Sequence, residues 1–377
     1  MAKLDPDNQG RVSSFIKYFS ALEDPRCTTR GNYQHLLSDI MFLSISAILC
    51  GADNWELIHA FGNNQIEWLK KYGNFSNGIP SSDTLSRVFT ALEPKSFNEC
   101  FLSWIESLRK KTEGEVVAID GKSIRGANPK SKNNMPHIVS AFAVENGLTL
   151  GQLKVNEKSN EITAIPELLE LIAIEGCTIT IDAMGCQTKI AETIIENKAD
   201  YILAVKGNQG NLEQSIIDTI RFEKPISVNA NDDYGHSRLE TRTCQVYNTL
   251  DHIKNPEKWK DLRSIIKVES KVHNTTSGKT TTEERYYISN LALDSKVFND
   301  KIRKHWAIEN NLHWTLDVEF GEDKSRKRTG YQAENFNVIL KMAMAILTKD
   351  KSKKMSKRTK RMQAAWDSKY RDKLLTF

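Results

Sequence analysis

The sequence predicts an α/β fold in which a mixed core carries a β-rich insertion and follows an all-helical N-terminal domain. Three observations predict it. From Ser13 to about Lys111, apolar residues recur at spacings of three and four. After Gly114 the rhythm shortens to three β-rich runs and then alternates helix with strand. Between Glu223 and Asn290 the chain turns polar and strand-like before helical spacing returns.

In the N-terminal domain, residues 1–113, helical spacing covers 36–49, 55–69, 85–92 and 97–108, with Ser81 or Ser82 able to cap the third run after Pro80. The first part of the core, 114–222, opens with strands at 115–120, 137–145 and 148–155. Asn146-Gly147 joins the last two, and that dipeptide favours a tight hairpin because both residues accept positive φ. Helix 162–174, strand 177–182, helix 187–197, strand 201–205 and helix 212–222 come next. The insertion, 223–290, has strand patterns at 245–247, 263–273 and 283–288. The last part of the core, 291–349, contains helical runs at 302–314 and 336–347. A basic tail, 350–377, includes the run 351–361. Three strands in a meander and then alternating helix and strand is the order of a ribonuclease-H-like core.

Composition sets bounds on function. With 53 Lys+Arg against 48 Asp+Glu, a formal charge of +5 over 377 residues favours polyanion partners only weakly, so the location of the charge matters more. Six scattered cysteines without a CxxC pair read as reduced, packed thiols. The first residues lack an apolar signal region, and the most apolar stretch, 40–50, is too short to span a bilayer. A cytoplasmic protein with no membrane partner is expected.

Two strand patterns end on a carboxylate, at Asp120 and Asp182. Buried strands do not normally finish on an unpaired charge, because desolvating it is unfavourable without a compensating cation. Glu309 lies in the helical run, and the three acids occupy the places in the element order where such a core carries its acids. The second interval between acids is about twice the first because the insertion falls within it. Together they read as a phosphoryl-transfer site for Mg2+, with Mn2+ as an alternative, since hard oxygen donors suit these ions. His305, Glu309 and His313 fall at i, i+4 and i+8 on one helix face. The HExxH order of a zinc helix is absent, so the histidines are expected to contact phosphate or to orient the carboxylate.

Cations cluster near the acids. Lys122 and Arg125 directly follow Asp120, while Lys206 and Asn208 end another strand near the same sheet edge, so all four are candidate phosphate contacts. In the insertion His236, Arg238, Glu240 and Arg242 alternate, which puts them on one face as either an ion-pair ladder or a nucleic-acid contact. The basic run 351–361 reads as a solvated tail or as sequence-independent DNA affinity.

The run from His305 through Glu309 to Asp323 resembles a signature of H-repeat-associated insertion-sequence transposases of the DDE type. Ala118-Ile119-Asp120-Gly121-Lys122, Ile181-Asp182-Ala183-Met184, the run 203–209 and the run 79–85 are similar to the same family. The resemblance implies Asp120, Asp182 and Glu309 as metal ligands and DNA as substrate. Water would first attack at the element's end, and the freed 3′ hydroxyl would then attack target DNA. Terminal inverted repeats, target DNA and a second copy of the chain are the implied partners, and the helical domain would bind DNA ends or dimerise.

One departure stands out. Where broader relatives carry tyrosine, arginine and lysine around the last acid, this chain has Ile302, His305 and Leu316. Arg303 and Lys324 are the substitutes at hand, and Asp317, Glu322 and Asp323 compete as the third ligand. A catalytically silent DNA-binding descendant and a structure-specific nuclease are the alternatives.

Overall fold

The computed structural model describes residues 17–27, 33–127, 135–155, 160–235 and 237–375. It is a mixed α/β structure organised on one nine-stranded sheet, whose order is β3-β2-β1-β4-β5-β9-β8-β7-β6. The first five strands are β1 (Val116–Ser123), β2 (His137–Ala143), β3 (Leu148–Val155), β4 (Thr178–Ile181) and β5 (Asp200–Val205). β1, β2 and β3 form an antiparallel meander, and β1, β4 and β5 run parallel. β4, Thr178-Ile179-Thr180-Ile181, is buried along its whole length, lying between parallel neighbours in the interior of the sheet, and its alternating residues are all β-branched.

The insertion extends this sheet. β9 (Thr280–Ser289) pairs antiparallel with β5, and β8 (Ser264–Asn274), β7 (Arg238–Tyr247) and β6 (Ser227–Gly235) continue outward. The sequence pattern does not predict β6. As an edge strand it is mostly exposed on both faces, so it lacks the apolar alternation that marks a half-buried strand.

Helices α1 (Leu37–Leu49), α2 (Trp55–Asn64), α3 (Ile66–Leu69), α4 (Ser82–Ala91) and α5 (Pro94–Leu108) precede the sheet. Ser81 is the cap of α4, its hydroxyl accepting from the Thr84 amide at 3.2 Å. Helices α6 (Glu161–Leu171), α7 (Thr188–Glu196) and α8 (Gly210–Phe222) come after β3, β4 and β5 respectively, and α9 (Ser295–His305) comes after β9. A widened π-helical turn, Ile308–His313, then leads into α10 (Trp314–Val318). The longest helix, α11 (Gln332–Lys349), is apolar nearly all round and packs on α1, α5 and β3. Its residues share one continuous apolar core with those of α1–α5 and the first five strands.

The basic run 351–361 is exposed over most of its length, but its last two residues are buried within a folded segment. Helices α12 (Lys357–Trp366) and α13 (Ser368–Leu374) fold back on α1 and α11, burying Lys360, Arg361 and Arg371. Arg361 donates to the Ile48 carbonyl at 3.0 Å and also to the Glu319 carbonyl, while Arg371 donates to Gln65 Oε1 at 2.7 Å and stacks 4.2 Å over Trp68. These cations tie the chain's end to the helical layer because carbonyls and aromatic faces replace their water. Among the described residues no helix is long and apolar enough to cross a membrane.

Candidate active site

Strand register brings the two aspartates together. Ile119 of β1 pairs with Ile181 of β4, the last pair between these strands, so Asp120 and Asp182 stand at equivalent next positions. β1 does not end there, as the sequence suggested, because β2 continues to pair with it through Ser123. Asp182 instead leaves the sheet and caps the turn Ala183–Gly185, its Oδ1 accepting from the Met184 and Gly185 amides at 3.1 and 3.4 Å. Asn208 braces that turn by donating to the Ala183 carbonyl at 2.6 Å, and Gln209 donates to the Cys186 carbonyl at 2.9 Å.

Glu309 arrives on the widened turn after α9. The Trp314 amide reaches back five residues to the Glu309 carbonyl, the mark of a π-helical turn, a feature common at functional sites. His313 Nδ1 lies 3.0 Å from Glu309 Oε2 and 3.5 Å from Asp120 Oδ2. One ligand atom from each of Asp120, Glu309 and His313 lies within 4.8 Å of the others. Asp120, Asp182 and Glu309 all line a cavity of about 380 Å³, together with Lys206, Arg285, His305 and Trp306.

Electrostatics reflect this crowding. Burial raises the Asp120 carboxyl to about 7, a hydrogen bond from the Gly121 amide opposes the rise, and the carboxylates of Asp182, Glu161 and Glu309 add to it. Burial and then Glu161 likewise raise Asp182. Glu161 begins α6 and meets His137 Nε2 at 2.5 Å. A Cβ at position 121 would run into both of those side chains, so glycine after Asp120 permits the close approach. Sequence reasoning missed Glu161, His137 and Arg285. Lys122 is visible because it lies two positions after Asp120, whereas residues brought in by strand pairing or, like Glu161, by a helix start leave no such local signal.

The remaining expected site residues divide by location. Lys122 is held by Asp317 at 2.6 Å, by Asp323 at 3.4 Å and by Glu322, so the acids considered as rival ligands gather around this lysine. Arg125 is largely exposed, 3.8 Å from Asp323. His305 lines the cavity beside Thr180, with Nδ1 3.0 Å from Thr180 Oγ1, and burial lowers its pKa to about 4. His313 is buried beside the two carboxylates, and burial lowers its pKa. His313, unlike His305, is not among the residues that line the cavity. Arg238, Arg242 and Arg303 line a second cavity on the insertion side, with Arg303 paired to Asp233. His236, part of the alternating run, lies outside the described residues.

Sequence comparison decides the family. A profile described as "Transposase DDE domain" matches residues 111–346, and one described as "DDE_Tnp_1-associated" matches residues 16–105. The chain belongs to the DDE transposase family. Among relatives of this DDE transposase, the protein named "Putative transposase YncI" of Escherichia coli O157:H7 is 42% identical over 97% of this chain and 95% of its own length. "H repeat-associated putative transposase YhhI" of Escherichia coli strain K12 is 40% identical over 95% and 97%. Among solved structures, a piggyBac transposase synaptic complex with hairpin DNA aligns at TM-score 0.47 and 11% identity over 99% of this chain and 82% of that one.

Proposed function

We propose that this DDE transposase is active, cutting DNA at the ends of its own element and joining them to target DNA. Asp120, Asp182 and Glu309 would hold divalent cations, Mg2+ or Mn2+. The observation that carries the reading is that these carboxylates, from three separated segments, line one cavity. Two of these residues fit a cation by distance: Asp120 and Glu309, with His313, offer donor atoms within 4.8 Å of one another, and the acids that raise the Asp120 carboxyl would gain from a positive charge. The strand order, antiparallel from β3 to β1 and parallel from β1 to β5, supports a ribonuclease-H-like core as the frame.

A bound divalent cation would polarise the phosphate and stabilise charge on the leaving oxygen. The chain's own residues position the rest. Asn208 and the capped turn fix Asp182, His313 orients Glu309, and Lys206 brings a positive charge to the cavity for a phosphate. Ile181, Ile202, Ala204 and Tyr287 give the cavity an apolar wall that limits water. In the first step a water oxygen bonds to phosphorus, the bond from phosphorus to the 3′ oxygen breaks, and that oxygen takes a proton. In the second, the freed 3′ hydroxyl bonds to a target phosphorus and displaces the target's 3′ oxygen. Charge stabilisation and alignment supply the rate. We place Lys206, Arg125, Arg238, Arg242 and Arg303 in contact with DNA, and the helices of residues 1–113 in end binding or dimerisation as two copies assemble on the terminal repeats.

Incubating the purified chain with DNA carrying the inverted repeats that flank its gene, plus Mg2+ or Mn2+, tests the reading. Nicking at the repeat ends is expected, and Asp182→Asn should abolish it by at least about 10²-fold while leaving binding intact. Binding without nicking in the unmodified chain would support the catalytically silent alternative. Cleavage governed by DNA structure instead of end sequence would support the nuclease.

A further inference from the structure

A second cavity, of about 690 Å³, adjoins the catalytic one, and Arg285 and Trp306 line both. The insertion strands β7 to β9 form one wall, and Arg303, Trp306, Asn310 and Asn311 around the widened turn form the other. Arg238, Glu240 and Arg242 alternate along β7 on the face that looks into it.

Arg242 is the anomaly. It is only 7% exposed, and its Nε has no hydrogen-bond partner. The nearby acids are engaged elsewhere. Glu283 takes two bonds from Arg285 at 2.9 Å, Glu240 accepts from Ser270 at 2.8 Å and lies 3.9 Å from Arg303, and Asp233 pairs with Arg303. Among the described residues neither Arg238 nor Arg242 has an ion-pair partner. Burial holds the Arg242 pKa below its usual value; Tyr287 and the Glu240 carboxylate oppose the fall, and the like charges of Arg303 and Arg285 add to it. A guanidinium cannot escape this by losing its proton near neutral pH, and Glu240 acts on it without forming an ion pair, so a bound anion would supply the direct partner it lacks.

We propose that this cavity is a phosphodiester subsite, in which Arg242 and Arg238 hold a backbone phosphate of the DNA strand that runs on from the catalytic cavity. This rests on the reading of the first cavity as a DNA-cutting centre. The forked guanidinium of Arg242 matches two phosphate oxygens, and the amides of Asn310 and Asn311 supply neutral donors nearby. Trp306 stands where the cavities meet and carries the Arg285 guanidinium 4.7 Å from its ring centroid. Arg285 is thereby matched by Glu283 and fixed by the ring, which leaves Arg242 as the charge that needs the strand. The shared lining favours a polymeric phosphate spanning both cavities over a free ion.

The test uses the full chain in chelator, so that no cleavage occurs, with a duplex of arbitrary sequence carrying a single-stranded 3′ end. Fluorescence anisotropy across a salt series gives affinity and its salt slope. Arg242→Gln should weaken binding about tenfold at low salt and flatten the slope of log K against log salt by about 0.7 to 0.9, the loss of one phosphate contact. Arg242→Lys should keep the slope but bind more weakly, because the fork is gone. Lys254→Gln, an exposed insertion cation outside the cavity, should change neither. Arg238→Gln provides the same readout at an exposed position if Arg242→Gln fails to fold. Unmodified affinity and slope in both glutamine variants would overturn the subsite and leave the DNA reading intact. A chain that binds no DNA, yet is stabilised against heat by inorganic phosphate through Arg242, would overturn both in favour of a free-anion site.

Discussion

Lys341 donates a 2.8 Å hydrogen bond to Ser140, the residue that faces Asp120 across β1 and β2. It also donates to Gln152 at 2.6 Å and is 2% exposed, so a lysine from α11 supports the strand that carries the first acid. Burial lowers its pKa from 10.5 to about 7. Below pH 7 both folded and unfolded chains are protonated, and the fold bears the whole cost of a buried charge. From about 7 to 10.5 the folded chain has released the proton that the unfolded chain keeps, so this group makes stability rise with pH. Urea unfolding at pH 7 and pH 9 should show that rise in the unmodified chain relative to Lys341→Met. An equal difference at both pH values would contradict it.

Cation binding should depend on pH through Asp120. With burial and neighbouring acids holding its carboxyl at about 7, a proton competes for the site below that pH. Mn2+ affinity, read by paramagnetic resonance, is expected to climb from pH 5.5 toward about 7 and then level off, by as much as about tenfold per pH unit on the rising limb. Affinity flat across this range would show that Asp120 ionises without resistance.

Asn208 acts on Asp182 through the turn it braces. Asn208→Ala removes a hydrogen bond of about 1 kcal/mol and should lower the cleavage rate about fivefold to tenfold, with DNA affinity and unfolding midpoint nearly unchanged. A matching fall in affinity would mean that Asn208 touches DNA directly.

Arg361 links α12 to the Ile48 and Glu319 carbonyls, and burial lowers its pKa to about 10. Arg361→Ala should destabilise the chain by about 3 kcal/mol, measured by urea unfolding, because the carbonyls lose their donor and a gap opens beside Phe320. A change below about 0.5 kcal/mol would show that the C-terminal helices are only loosely attached.

Periodicity made much of the fold legible. The runs that deliver Asp120 and Asp182 read clearly as strands because they lie in the interior of the sheet and the residues before each acid are buried. β6 escaped notice because an exposed edge imposes no pattern. The π-helical turn escaped too, since a one-residue widening leaves composition unchanged while rotating every side chain beyond it. Helical spacing placed His305 and His313 beside Glu309, and His305 does line the same cavity while His313 meets Glu309, but the spacing could not show their further contacts with Thr180 and Asp120. Arg361 and Arg371 looked like tail charges because local sequence cannot reveal carbonyls supplied from residues about 300 positions away.

β9 is fastened to β5 and, a few residues later, feeds α9 and the turn that bears Glu309. That helix packs on β6 and β7 of the insertion and on β1 and β4 of the core, so the third acid is delivered by an element that clasps both halves of the sheet, and damage to the outer strands would be felt at its carboxylate.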